Sequence, residues 1–194
     1  MQAHLAAREI ACRRGDRLLF RGFSADLRAG DALHVTGPNG CGKSSLLRIM
    51  AGLLHAEAGV VERTGSLGLI DERAALAENR TLEQALNFWK RLDEVPGRPT
   101  PVLATLDLDH LRHIPVRYLS TGQRKRAALA RLLSQNAAIW LLDEPLNGLD
   151  DGGIGVVAQL VTGHRAAGGV CVITSHRPLD LPGVQRCDLT RFAA

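Results

Sequence analysis

Hydrophobic positions change their period along the chain, and those changes divide it into elements. Near the N-terminus, short apolar stretches at Arg8–Cys12 and Leu18–Phe20 alternate with turn signals at Gly15-Asp16 and Ala29-Gly30-Asp31, which predicts strands joined by tight turns. Asp31–Val35 predicts a short strand entering a glycine-rich loop, and Ser44–Ala51 predicts an apolar-rich helix closed by Gly52. Ser66–Ile70 reads as a further strand. From about Glu72 the period becomes helical: Thr81–Trp89 has helical spacing, Pro96–Pro101 interrupts it, and Val102–Leu111 resumes it. A helix at Ser120–Leu133 follows, then the apolar strand Ala137–Leu142, a helix around Ile154–Thr162 and the apolar strand Gly169–Thr174. Continuous apolar strands alternating with helices predict a mostly parallel sheet covered on both faces. The expected fold class is therefore α/β, with an N-terminal antiparallel β part and a helical lobe, about residues 72–135, inserted into the core.

Composition narrows the function. The 194 residues are 45% hydrophobic and 23% charged, so the chain can bury a core and is not expected to be disordered. Its longest apolar run, Ala137–Leu142, stops at Asp143, far short of the roughly 18 residues of a membrane span. No basic stretch followed by a long apolar core opens the chain, so no signal peptide is expected. The net charge of +4 could suggest nucleic acid, but the arginines are dispersed and only two Trp, one Tyr and four Phe are available to stack on bases. The four cysteines, Cys12, Cys41, Cys171 and Cys187, lie far apart, against a zinc site or a redox pair.

Three motifs carry chemistry. Gly37, Pro38, Asn39, Gly40, Cys41, Gly42, Lys43 and Ser44 match G-x-x-x-x-G-K-[ST] between a predicted strand and a predicted helix, with Ser45 next in the helix. Glycines let successive backbone N–H groups turn toward phosphate oxygens, and the helix N-terminus adds partial positive charge. Lys43 supplies a full charge to the outer phosphates, and the Ser44 hydroxyl is a candidate magnesium ligand. Asp143 and Glu144 stand where the apolar strand ends, at the sheet edge where ligands of such folds bind. Asp143 is the metal candidate and Glu144 the general-base candidate. Ser120 with Gln123 three residues later fits a capping box, while the same helix start, with Gly122, is also a second anion site.

Together the motifs resemble the ATP-binding-cassette (ABC) ATPases. The resemblance rests on the order of phosphate loop, Leu119-Ser120-Thr121-Gly122-Gln123, strand ending in Asp143-Glu144, Leu149-Asp150 and an isolated His176 after a strand, and it covers nearly the whole chain. It implies a single domain over residues 1–194 with a P-loop NTPase core of ABC type, and ATP and Mg2+ as cofactors. It also implies a head-to-tail homodimer in which Ser120 and Gly122 of one copy face the γ-phosphate held by Lys43 of the other. Leu149-Asp150 would then cross the interface, and His176 would contact the γ-phosphate and act with Glu144 in catalysis. The phrases Leu18–Ser24, Pro115–Ser120 and Ile139–Pro145 resemble the branch that serves cytochrome c biogenesis. That branch implies haem export, a CcmB-like integral membrane subunit with CcmC- and CcmD-like proteins as partners, no nucleic acid, and a peripheral position on the cytoplasmic face of a bacterial inner membrane. The rival readings are another small-molecule or lipid exporter, or a non-transport ABC ATPase.

Three positions depart from the family pattern. No glutamine lies between Lys43 and Gln84, and Ile70-Asp71-Glu72 occupies the place where the family has one after the strand preceding the helical lobe; Asp71 or Glu72 could stand in for it. Arg13-Arg14-Gly15-Asp16 lies where an aromatic side chain usually stacks on adenine, so an arginine plane either stacks there or is solvated. Thr121 replaces a glycine while leaving Ser120 and Gly122 intact.

Overall fold

The computed structural model describes residues 2–71, 74–93, 102–176 and 181–194. Two sheets form the scaffold. β1 (His4–Arg14) pairs antiparallel with β2 (Arg17–Arg28) on one side and with β4 (Ala58–Thr64) on the other. The second sheet has the order β5-β6-β7-β3-β8, with β3 at Ala32–Thr36, β5 at Leu67–Ile70, β6 at Ile139–Asp143, β7 at Val170–Thr174 and β8 at Gln185–Asp188. All its pairings are parallel, so the carboxyl ends of five strands share one edge.

β6 shows why this sheet is buried on both faces. Ile139 and Leu141 join a core formed with helix α1 (Lys43–Ala51) and the antiparallel sheet, while Trp140 and Leu142 join a second core beneath the remaining helices. The period of two sends alternate side chains to opposite cores, and both are apolar. The remaining helices are α2 (Leu82–Leu92), α3 (Val102–Thr105), α4 (Thr121–Gln135) and α5 (Asp151–Ala166).

Several elements differ from the sequence expectation. β4 and β8 were not anticipated; both are edge strands with charged, exposed positions and no apolar alternation to betray them. β1 runs longer than Arg8–Cys12 because a register irregularity between Ala7 and Ile10, with Glu9 at φ 51°, absorbs the polar pair Arg8-Glu9 that breaks its alternation. The helix expected over Val102–Leu111 ends at Thr105: Asp107 takes a left-handed conformation (φ 53°), and only a single 3-10 turn, Asp109–Leu111, follows. α5 begins three residues before Ile154 because Asp150 caps it, its carboxylate accepting the Gly153 amide at 2.8 Å. The Pro96–Pro101 break and Glu72 lie outside the described residues.

Candidate functional site

The phosphate loop joins β3 to α1. Gly37, Gly40 and Gly42 all have positive φ. At Gly42 (φ 111°) a Cβ would also come within 2.8 Å of the Phe20 ring, so only glycine lets the loop close onto β2 before α1 begins. Gly42 is the N-cap and supplies no side-chain cap, which leaves the first-turn amides of α1 for an anion.

Lys43 opens α1 and is only 6% exposed. Its ammonium donates to the carbonyls of Gly37 (2.8 Å) and Pro38 (3.2 Å) and lies 3.1 Å from His176 Nε2. His176 Nε2 is in turn 2.6 Å from Asn39 Oδ1. Because β7 lies between β3 and β6, His176, two residues past its end, meets both the phosphate loop and Glu144.

Those carboxylates are held by β7. Thr174 Oγ1 donates to Asp143 Oδ1 at 2.6 Å, and the Glu144 amide donates at 3.1 Å toward both the hydroxyl and the carbonyl of Thr174. Glu144 itself is left-handed (φ 46°), a conformation that costs a non-glycine residue about 1 kcal/mol or more and persists here because neighbouring bonds enforce it. The turn brings one carboxylate oxygen, Oε2, to the His176 amide at 3.3 Å. The other, Oε1, lies 3.1 Å from His176 Nε2 and 3.7 Å from Lys43 Nζ. It is buried without a hydrogen bond of good geometry to any described residue, so it is placed to accept one from a small polar molecule.

The structure therefore gathers Gly37, Pro38, Asn39, Lys43, Asp143, Glu144 and His176 in one place. Ser44 follows Lys43 in α1. Ser45 is directed elsewhere, toward the Cys12 thiol, whose pKa burial pushes up. Thr174, which fastens both acidic residues, was missed by the sequence reading; its only signal is a hydroxyl at the end of an apolar strand. Asp71 forms a bidentate ion pair with Arg48 in the last turn of α1, at 2.9 to 3.1 Å.

Ser120, Gly122 and Gln123 make their contacts at the start of α4 and on the turn after β6. Ser120 Oγ accepts the Gln123 amide (3.2 Å), and Gln123 Oε1 accepts the Ser120 amide (2.8 Å), so the glutamine side chain closes the helix start. Gly122 packs on the turn between β6 and α5: a Cβ there would lie 2.7 Å from the Gly148 carbonyl. Ser120 remains exposed at the tip. At the end of this turn Asp150 is held below the usual carboxylate range, first by the Gly153 amide and further by Arg126.

The match to the family model for ABC transporters covers residues 20–147, which contain the loop, the capped helix start and both carboxylates. The chain belongs to the ABC transporter family. It is an ATP-binding ABC ATPase subunit, and among its described residues no helix is long and apolar enough to cross a membrane. It is 54% identical over 188 residues to the cytochrome c biogenesis ATP-binding export protein CcmA of Novosphingobium aromaticivorans, covering 97% of this chain and 96% of that one. It is 46% identical to the protein of the same name from Zymomonas mobilis, covering 99% and 87%. In fold it is similar to an ABC transporter ATP-binding protein from Pyrococcus furiosus, with a TM-score of 0.84, 22% identity and coverage of 98% and 100%. That likeness bears out the α/β core of ABC type with its antiparallel β part.

Proposed function

We propose that this ABC ATPase hydrolyses ATP at a composite site between two copies and so energises haem export for c-type cytochrome biogenesis. The observation that carries the chemistry is the Glu144 carboxylate, whose buried Oε1 lies 3.1 Å from His176 Nε2 and 3.7 Å from the Lys43 ammonium. Lys43 and the open amides of α1 hold the phosphates. Glu144 takes a proton from the attacking water, and His176, beside Lys43, bonds to the γ-phosphate. When ATP arrives, the Lys43 ammonium exchanges the Gly37 and Pro38 carbonyls for phosphate oxygens.

Ser44 and Asp143 are the Mg2+ ligands in this reading. One hydroxyl and one carboxylate, both oxygen donors, would suit a hard divalent cation that rarely takes an all-protein cage. No cluster of three or more His, Cys, Asp or Glu among the described residues competes for it. Held there, Mg2+ would supply charge neutralisation at the phosphate oxygens. Thr174 keeps the Asp143 carboxylate in one orientation for this purpose.

Ser120, exposed at the helix start, with Gly122 and Gln123, serves the nucleotide of the partner copy in a head-to-tail dimer. ATP binding supplies contacts available only to the closed pair, and loss of the γ-phosphate removes them, which is a population shift driven by differential contacts. The helical lobe of residues 72–135, within a single domain over 1–194, carries the motion to the membrane subunit. A cleft of about 450 Å³ between the segment after β5 and the start of α4, lined by Asp71, Leu76, Glu78, Val116, Arg124 and Lys125, supports a docking role for that side. The partners in this reading are a CcmB-like integral membrane subunit and CcmC- and CcmD-like proteins, at the cytoplasmic face of the inner membrane. The names of the relatives support the assignment.

Co-purification tests it. A multi-span membrane protein should accompany the chain and stimulate its ATPase, and haem handling should fail in a Lys43→Ala strain. Nucleic acid in place of a membrane partner overturns the transport reading.

A further inference from the structure

His34 is a polar side chain in an otherwise apolar strand, 3% exposed, that the chemistry above leaves unused. Parallel pairing puts it between Ile173 of β7 and Arg186 of β8. Leu33 and Val35 turn toward the α1 core, so His34 points to the opposite face, as Ala32 does. Burying an imidazole there costs more than burying an aliphatic chain unless the ring makes a bond that matters. Its register partner Ile173 lies two residues before Ser175, which sets the ring beside the Ser175 backbone, while Nε2 has no partner of good geometry among the described residues.

Ser175 is where such a bond has most effect. The ladder between β7 and β3 ends at the pair Val35 and Thr174, and that between β7 and β6 ends at Asp143 and Thr174. Ser175 is thus one residue past the last paired position on both sides, yet fully buried. Thr174 before it holds Asp143 and the Glu144 amide; His176 after it meets Glu144, Lys43 and Asn39. The direction in which the backbone leaves Thr174 therefore sets where His176 stands.

We propose that His34 is a positioning residue for ATP hydrolysis: bonded to the Ser175 backbone, it fixes the exit from β7 and thereby aims His176, and through the His176 amide the Glu144 carboxylate. The inference rests on the reading of Glu144 and His176 as the hydrolytic machinery. The phosphate loop is anchored separately by Lys43 and α1, so binding of ATP does not depend on His34.

The test uses the full chain with His34→Leu, which fills the space without a donor, and His34→Gln, which keeps one. Expected for His34→Leu is a kcat lowered about tenfold, the scale of one lost bond to a buried carbonyl, with KM for ATP changed less than about twofold. The His176 ring Cε1–H resonance should move in His34→Leu and return toward its original position in His34→Gln, together with most of kcat. Wild-type kcat and an unmoved His176 resonance in His34→Leu overturn the proposal. So does a His34→Gln form as slow as His34→Leu with the resonance unmoved, or a change confined to KM. If His34→Leu does not fold, His34→Met takes its place under the same criteria. A Glu144→Gln form with full turnover would instead remove the reading of Glu144 as base, while the His176 resonance still decides whether His34 positions it.

Discussion

Thr174 and Asp143 are joined across neighbouring strands by a 2.6 Å hydrogen bond, the hydroxyl donating to a carboxylate that is only 4% exposed. Thr174→Val keeps the shape and removes the donor, leaving Asp143 Oδ1 short of a partner. Loss of a buried partner of a charged group costs about 1–3 kcal/mol. The variant should unfold at lower urea concentration by that margin and lose about tenfold or more in ATPase kcat, while Thr174→Ser stays close to wild type. Urea denaturation and steady-state ATPase assays on the three forms check both parts.

Lys43 and Glu144 sit 3.7 Å apart, and the proposed mechanism gives them different steps, so their variants should separate. Lys43→Ala removes the cation that the proposal sets against the phosphates and should abolish ATP binding measured by calorimetry. Glu144→Gln keeps size and polarity and removes the basic oxygen; ATP binding should persist while turnover falls by about 10² or more. Turnover of Glu144→Gln within a few-fold of wild type would end its assignment as base.

What the sequence made legible follows from where the physical constraint lies. The phosphate loop is written in glycines because backbone conformation demands them, and β6 and β7 are written in apolar runs because both faces of the sheet are covered. The edge strands β4 and β8 carry no such constraint and left no pattern. Gly152 and Gly153 carry no apolar pattern, so the start of α5 ahead of Ile154 shows only once Asp150 is placed as its cap. Thr174 lies 31 residues from Asp143 and Arg48 lies 23 from Asp71, and such pairs exist only once the strands are ordered in space. The likeness of Ser120 to an anion site is legible in the sequence, whereas the packing of Gly122 against the Gly148 carbonyl exists only in the fold.

The Arg48–Asp71 pair ties the segment after β5 to the last turn of α1. Both side chains are partly exposed, 37% and 27%, so the pair contributes about 0.2–1 kcal/mol and weakens in salt. Its importance is positional, since Asp71 follows β5 at the edge where Asp143 ends β6. Arg48→Met should leave global stability within about 1 kcal/mol of wild type. It should reduce the stimulation of ATPase by the co-purified membrane subunit more than the basal rate. Equal loss in both rates would assign the pair to the chemistry instead.

His34 and His164 give the stability a defined pH dependence. Burial pushes both imidazoles below their usual pKa: His34 is countered by the Ser175 backbone and Glu144 and reinforced by Arg186, while His164, stacked on Trp140 at 3.9 Å, is countered by the backbone at Val170 and Ala138. The unfolded chain takes up these protons near pH 6.5 and the folded chain does not. Stability is therefore fully present above about pH 6.5 and is lost as pH falls, by at most about 1.4 kcal/mol per pH unit for each proton. Asp26, Asp150 and Asp188, whose carboxyls are held low, act only below about pH 4 and leave this window to the histidines. Urea unfolding between pH 7.5 and 5 should show the decline, and His164→Gln should make it shallower by about one proton; an unchanged slope would mean that the His164 pKa is not depressed in the fold.

Gly122 meets the Gly148 carbonyl so closely that a methyl group would sit 2.7 Å from it, and backbone offers no flexible end to move aside. Gly122→Ala should therefore push the Ser120 tip away from the turn before α5, at an overpacking cost of about 1–3 kcal/mol. If nucleotide is held between copies, the damage falls on the partner's ATP. A Gly122→Ala copy should bind ATP through its own Lys43 yet turn it over slowly, and Lys43→Ala copies should be inactive alone. Mixing the two inactive forms then makes a specific prediction. In a head-to-tail heterodimer one site has both defects, and the other combines an intact Lys43 with an intact Gly122. With random pairing half the dimers are mixed and each has one sound site, so activity should recover to about a quarter of wild type. A site complete within one copy gives no recovery on mixing, and that result would overturn the composite site.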